Sequence, residues 1–261
     1  MVDALFFCPR LQKLETSVHV IHALGCTSKE VVRHDSLREL TLRFDTFTSI
    51  SGSLRTVQLP NLLSVELFSK SSPHAEFPSS GPASVRLGPN GHLSWLPDDF
   101  LFFLKNSACS LTSLSFRTFK LTDYDLGRIF ELTPSLAHFS LREYGVSLGT
   151  GLLSSLTRSQ ENPIPLLPQL SHLEVHWHEH EHKPDDVLRL VAMVESRTHS
   201  KDIGFEGARM RKFALNFKYD LTQRGYLVGS EFLSRMKALY VSDGVDVSLT
   251  LAGEPITLSS R

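Results

Sequence analysis

One short pattern of apolar residues recurs along the chain: leucine, two further residues, leucine, one further residue, leucine. Leucine is replaced by valine, phenylalanine or methionine at some of these positions. The clear copies begin at Leu37, Leu111, Leu136 and Leu170, and the weaker copies at Leu54, Leu62 and Met210. Such a repeat constrains the fold more than any single residue does, because each copy forms one unit and neighbouring units share a core.

Within each copy, the second and third apolar residues alternate with polar ones, which is typical of a strand with one buried face. Helix signals lie between the strands, with an acidic residue in the first turn after Pro97, Thr122, Pro184 and Gly229. A final alternating stretch at 245–251 predicts a last strand. The Leu54 and Leu62 copies are too close to be independent turns, so one should be a strand and the other a connection.

Strand and helix therefore alternate, and the step from Leu111 to Leu136 falls within the leucine-rich-repeat range. The pattern predicts an α/β leucine-rich-repeat solenoid, with a curved parallel sheet on the concave side and helices on the convex side. We expect one domain over residues 1–261. Proline, glycine and serine predict flexible loops near 69–89 and 158–168.

Composition excludes several functional classes. The 261 residues include 27 Lys and Arg against 28 Asp and Glu, so no single-sign field favours a nucleic acid or a membrane surface. No apolar stretch is long enough to span a membrane, and the first ten residues lack the features of a signal peptide. Three widely spaced cysteines form no CxxC pair, which indicates a reducing compartment, the cytoplasm or the nucleus.

The strand face opposite the leucines is the candidate binding surface. Its predicted protein-binding residues are Arg43, Arg117, His138, Arg142, His172, Glu174 and His176. Any exposed strand face is polar, but arginine returns in one column of this face and favours an acidic protein partner. Replacing Arg117 and Arg142 by Glu should then abolish partner binding with little change in melting temperature. No cofactor is expected.

A cluster of histidines offers an alternative function, metal binding. Its candidate ligands are His176, His178, His180 and His182. Alternate residues of a strand point the same way and could line one face, while His178 also begins a literal H-E-x-x-H motif. That motif needs a helix, and Pro184 follows too soon for one to form. A solvated polar strand end therefore remains the favoured interpretation.

One nucleophile motif also occurs, G-x-S-x-G from Gly145 through Ser147 to Gly149. It lies between a strand and a leucine-rich stretch, the order that a nucleophile elbow requires. The motif is short, glycine is common in turns, and no partner acid or base can be assigned. We therefore expect a turn and no enzyme activity.

Several segments taken together resemble the leucine-rich-repeat arms of the F-box-like proteins that are abundant in mushroom-forming fungi. The segments that carry the resemblance are 59–67, 103–114, 132–136, 166–173 and 193–197. The resemblance implies a substrate-recognition arm of a ubiquitin-ligase receptor, whose N-terminal F-box docks to the ligase adaptor. Here residues 8–14 already match a repeat strand, so we expect the arm without its F-box. The adaptor would be a partner only if an F-box exists upstream.

Overall fold

The computed structural model describes residues 2–18, 31–44, 54–69, 97–119, 121–142, 148–177, 184–198, 207–217, 230–241, 243–251, 254–256 and 258. The chain divides into two compact units. The first unit contains residues 1–111 and 115–120, and the second contains residues 112–114 and 121–261. Both combine helices with mostly parallel strands, so the fold is mixed α/β.

The first unit has three parallel strands in register. Its helices are α1 (Val2–Phe7) and α2 (Pro97–Ser107), and its strands are β1 (Lys13–Val18), β2 (Val32–Arg33), β3 (Glu39–Phe44), β4 (Val57–Gln58) and β5 (Ser64–Ser69). Strand β3 pairs in parallel with β1 on one side and β5 on the other. Strands β2 and β4 form a separate parallel pair. The Leu62 copy thus supplies a full strand, and the Leu54 copy supplies a two-residue strand of the separate pair where a connection was predicted.

The second unit continues the alternation of strand and helix. Its elements are α3 (Asp123–Glu131), β7 (His138–Arg142), α4 (Thr150–Leu156), β8 (His172–Trp177), α5 (Pro184–Ser196), β9 (Lys212–Phe217), α6 (Ser230–Val241), β10 (Asp246–Leu251) and β11 (Glu254–Pro255). Strands β7 to β10 are parallel neighbours in chain order, and β11 adds to β10 in the antiparallel sense. Strand β6 (Ser113–Arg117) begins in this unit and ends in the first.

The leucine pattern forms the core of both units. All three apolar residues in each of the seven copies are at most 5% exposed. In the copy that begins at Leu136, for example, Phe139 and Leu141 point inward from β7, while Ser140 between them is partly exposed. The predicted strand periodicity is therefore confirmed.

Hydrogen bonds repeat along with the leucines. The carbonyl oxygen of the residue just before one strand accepts two hydrogen bonds. The donors are two consecutive backbone N–H groups at the start of the neighbouring strand. The acceptors of this kind are the carbonyls of Gln12, Arg38, Thr112, Ala137 and Ser171, at donor–acceptor distances of 2.8–3.1 Å. Within each unit, successive strands are therefore joined at their entry by the same local geometry.

Helices pack on the leucine side of the strands. In the first unit, Phe100 of α2 meets Phe116 of β6 with ring centroids 5.9 Å apart. In the second unit, Phe130 of α3 meets Phe139 of β7 edge to face at 4.8 Å. The four predicted helices are present and begin at Pro97, Asp123, Pro184 and Ser230. At α3 the Thr122 hydroxyl accepts from the backbone N–H of Asp125, whose carboxylate accepts from the N–H of Thr122, so Asp completes the capping box.

Arg197 is hydrogen-bonded to the segment 158–168, for which the sequence predicts a flexible loop. The guanidinium is 2% exposed and donates to three backbone carbonyls, of Leu156 at 2.8 Å, Leu166 at 2.8 Å and Leu167 at 2.9 Å. Leu156 ends α4, so the cation also lies at the negative end of that helix. Burial lowers the pKa of Arg197 to about 10. The loop predicted near 69–89 lies outside the described residues, apart from Ser69.

None of the helices in the described ranges is long and apolar enough to cross a membrane.

Candidate functional site

The strand face opposite the leucines, here called the open face, carries side chains that stay partly or fully exposed. Three rows run across it, because neighbouring strands pair in register. The rows of the second unit contain His138, His172, Lys212 and Asp246; then Ser140, Glu174, Ala214 and Ser248; then His176, Asn216 and Thr250. Ala214 is the buried exception among them. Arg142 follows Leu141 at the end of β7.

Ion pairs cross between strands on the open face of the first unit. Nη2 of Arg43 donates to Oε1 of Glu15 at 2.6 Å, and the same guanidinium lies 5.9 Å from the ring centroid of Phe68. Arg117 approaches Oε1 of Glu66 at 2.7 Å, although its Nε–H is not aligned for a hydrogen bond. Lys13 and Glu39 form a third pair at 2.9 Å.

Glu174 is the centre of the corresponding network in the second unit. Its carboxylate accepts from Arg142 at 2.7 Å, from Ser140 at 3.1 Å and from His176 at 3.3 Å. Burial opposes ionisation of this carboxyl, but the bonds from His176, Arg142 and Ser140 and the charge of Arg142 outweigh it. The pKa of Glu174 is therefore lowered to about 2. The side chain stays ionised at neutral pH and holds three neighbours in place.

All three arginines that the sequence places in one column are thus paired with a carboxylate of a neighbouring strand. The leucine spacing drew attention to the arginines but not to their partners Glu15 and Glu66. An acidic partner would share or displace these internal carboxylates rather than meet unpaired cations. The prediction that the arginines contact a partner stays a prediction.

Two histidines of neighbouring strands stack on the open face. The ring centroids of His138 on β7 and His172 on β8 are 4.1 Å apart. Nδ1 of His172 lies 2.9 Å from the hydroxyl oxygen of Ser171. Burial, then His138, Lys212 and Arg211, lower the pKa of His172, and Asp246 opposes them. The neutral form of His172 is therefore favoured more strongly than in an isolated histidine.

The metal alternative stays a prediction. His176 is bonded to Glu174, while His178, His180 and His182 lie outside the described residues. Among the residues that the structure does describe, no three His, Cys, Asp or Glu side chains are grouped to hold a metal ion.

Gly149 is the described end of the G-x-S-x-G motif, since 143–147 lie outside the described residues. It is the N-cap of α4, and its N–H donates to Oδ1 of Asp123 at 2.8 Å. A Cβ built at this position would lie 2.0 Å from Oδ2 of Asp123. Close packing against Asp123 is a sufficient reason for glycine at this position.

Among the described cysteines, Cys109 is poorly suited to nucleophilic chemistry. Cys8 and Cys109 are both free thiols. Burial raises the pKa of Cys109, so its reactive thiolate form is disfavoured at neutral pH.

Comparison of the chain with protein-family models, with curated proteins and with solved structures gave no match.

Proposed function

We propose that this protein is a non-catalytic protein-interaction module that binds its partner through the open face. One observation carries the proposal. Parallel strands are normally covered by helices on both faces, yet here helices pack on the leucine side and the other side keeps charged and polar groups exposed. A parallel sheet with one open face is typical of repeat proteins that bind partners along their strands.

The ion pairs on the open face also suit a binding surface. Arg43, Arg117 and Arg142 are held by carboxylates of neighbouring strands before any partner arrives. Long side chains that are already ordered lose less conformational entropy on binding than free ones do. A pattern of fixed positive and negative charges contributes to specificity more than to raw affinity. We therefore expect a partner that matches this alternation.

The repeated hydrogen bonds at the strand entries support the solenoid of the leucine-rich-repeat kind that we propose for this chain. The same carbonyl geometry recurs at Gln12 and Arg38 in the first unit and at Thr112, Ala137 and Ser171 in the second. Identical joints between successive turns are what stacking of one structural unit requires.

The family resemblance of the repeats supplies a biological setting for the proposal. In that setting the chain acts as the substrate-recognition arm of an F-box-type ubiquitin-ligase receptor, in the cytoplasm or nucleus. The adaptor subunit is a partner only if an F-box precedes the arm. The free thiols of Cys8 and Cys109 are compatible with a reducing compartment.

Site-specific photo-cross-linking in the native cell tests the binding face. A benzoylphenylalanine replaces Thr41 on β3 or Ser248 on β10, two open-face positions in different units. Matched controls carry the same probe at the exposed helix positions Lys105 and Arg189. The proposal predicts discrete cross-linked products from at least one strand position and none from the helices. Products from the helix positions alone would contradict it.

The proposed role in a ubiquitin ligase is tested separately. If the cross-linked partner is a ligase substrate, its half-life after a block of protein synthesis should lengthen when the gene for this chain is disrupted. An unchanged half-life would remove the ligase role and leave the binding role intact.

A further inference from the structure

The imidazoles of His138 and His172 stack against each other on the open face. They belong to adjacent strands in the first row of the open face, where His138 is exposed and His172 half-buried. Their ring centroids are only 4.1 Å apart. Two imidazolium ions at this separation would repel each other strongly, so the unbound pair cannot easily carry two protons.

The charges around the pair are mostly positive. Lys212 follows in the same row on β9, and Arg211 directly precedes it. Asp246 is next in the row, on β10, and its carboxylate lies 3.8 Å from the Lys212 ammonium. Ser171 and Ser140 are uncharged, and Glu174 in the next row is already bonded by Arg142 and His176. The positive charges of Lys212 and Arg211 disfavour protonation of His172, and they attract an anion to the pair.

We propose that His138 and His172 together receive a carboxylate from an acidic segment of the protein partner, and that its binding takes up protons. This inference rests on the proposed function of the open face. A carboxylate can accept one N–H from each ring, and its negative charge removes the repulsion that opposes protonation of the pair. Binding and protonation therefore favour each other.

The arrangement fits an acidic peptide better than a nucleic acid. Asp246 and Glu174 interrupt the positive charge of this face, so an evenly charged phosphate backbone would meet them at close range. A peptide can place its carboxylates over the histidines and leave neutral residues opposite the acids. The protein partner is therefore expected to present separated acidic side chains.

The probe for this inference is an octa-aspartate peptide with blocked termini and a tetramethylrhodamine label, which does not titrate between about pH 6 and about pH 8. Its binding to the full chain is followed by fluorescence anisotropy at low salt. Aspartate stays ionised above about pH 5, so the peptide's charge does not change in the range used. We expect binding roughly tenfold tighter at about pH 6 than at about pH 8, which corresponds to uptake of about half a proton.

The His138→Gln/His172→Gln double variant should bind weakly at both pH values and lose the pH dependence. Arg189→Gln, which removes an exposed cation from α5, should keep the pH dependence of the wild type. Urea unfolding checks that the variants are folded. Should the double variant not fold, calorimetry of the wild type in two buffers of different ionisation enthalpy measures the proton uptake directly.

Equal affinity at the two pH values, no proton uptake, or an unchanged pH dependence in the double variant would overturn the inference. A single-stranded RNA of equal charge that binds as tightly, with the same dependence on the two histidines, would overturn the choice of an acidic peptide. Cross-links at Thr41 or Ser248 without histidine-dependent peptide binding would sink this inference alone. Loss of those cross-links would instead remove the proposed function.

Discussion

Arg142 on β7 donates from Nη2 to Oε2 of Glu174 on β8, at a distance of 2.7 Å. The pair is diagonal, because Glu174 lies directly opposite Ser140, two residues before the arginine. Arg43 and Glu15 repeat this relationship in the first unit, where Glu15 lies opposite Thr41. Diagonal ion pairs between neighbouring strands order the side chains of the open face before a partner binds. They also make the stability of the protein depend on pH.

The first prediction concerns the Glu174 carboxylate. Its pKa is lowered from 4.5 to about 2, so it stabilises the native state above the unfolded value of 4.5. That contribution is lost as the pH falls through about 2. Glu174→Gln should therefore lower the free energy of unfolding by about 2 kcal/mol at neutral pH, and by progressively less below pH 4.5. Urea unfolding at several pH values measures the difference, and a gap that does not shrink in acid would contradict this role.

The second prediction revises what the sequence alone led us to expect for charge reversal. Arg117→Glu with Arg142→Glu would place each new carboxylate against an existing one, at Glu66 and Glu174. We therefore expect a clear drop in melting temperature, equivalent to about 1–3 kcal/mol, in place of little change. Arg189→Glu on exposed α5 is the control and should shift stability by less than about 0.5 kcal/mol. An unchanged melting temperature in the double variant would show that the ion pairs are dispensable.

The third prediction compares two glycines at the start of α4. Gly149→Ala should destabilise the protein by about 0.5–1.5 kcal/mol, because its Cβ would displace the Asp123 carboxylate and break the hydrogen bond from the backbone N–H of residue 149. Gly151→Ala meets nothing within 4 Å and should be neutral or stabilising by up to about 1 kcal/mol. Thermal unfolding of the two variants side by side gives the comparison. Equal effects at the two positions would show that the contact with Asp123 is not the reason why residue 149 is glycine.

The fourth prediction concerns Arg197 and the segment that it fastens. Arg197→Ala leaves three buried carbonyls without their donor, and we expect a loss of about 3–5 kcal/mol. Trypsin should then cleave after Arg158 faster than in the wild type. Arg189→Ala on the same helix serves as the control, since that side chain is exposed. Resistance of Arg158 to trypsin in the Arg197 variant would show that other contacts hold the segment.

Much of the fold is predictable from the sequence because its signal is periodic. Alternation after Leu37 or Leu136 specifies which residues of a strand are buried, and every copy of the pattern behaves accordingly. Acidic first turns locate four helices, and in one of them Thr122 and Asp125 form a capping box. Elements too short to show a period, such as α1, β2 and β11, leave no such signal.

The candidate site is less predictable, because its contacts join residues that are distant in sequence. Arg142 and Glu174 are separated by a helix and a loop, and their pairing depends on strand register. Aligning the repeats by their leucines would have placed Glu174 opposite Ser140 and so near the arginine. Arg197 had no comparable signal, since its partners are backbone carbonyls some 30 to 41 residues away.

The affinity of the cross-linked partner for face variants tests the central claim most directly. Thr41→Arg and Ser248→Arg each add a bulky charge to the open face of one unit, whereas Arg189→Ala changes only a helix surface. Calorimetric titration should show at least a roughly tenfold loss of affinity for one or both face variants, and no loss for the control, at equal stability. Full affinity in both face variants would contradict binding through the open strand face.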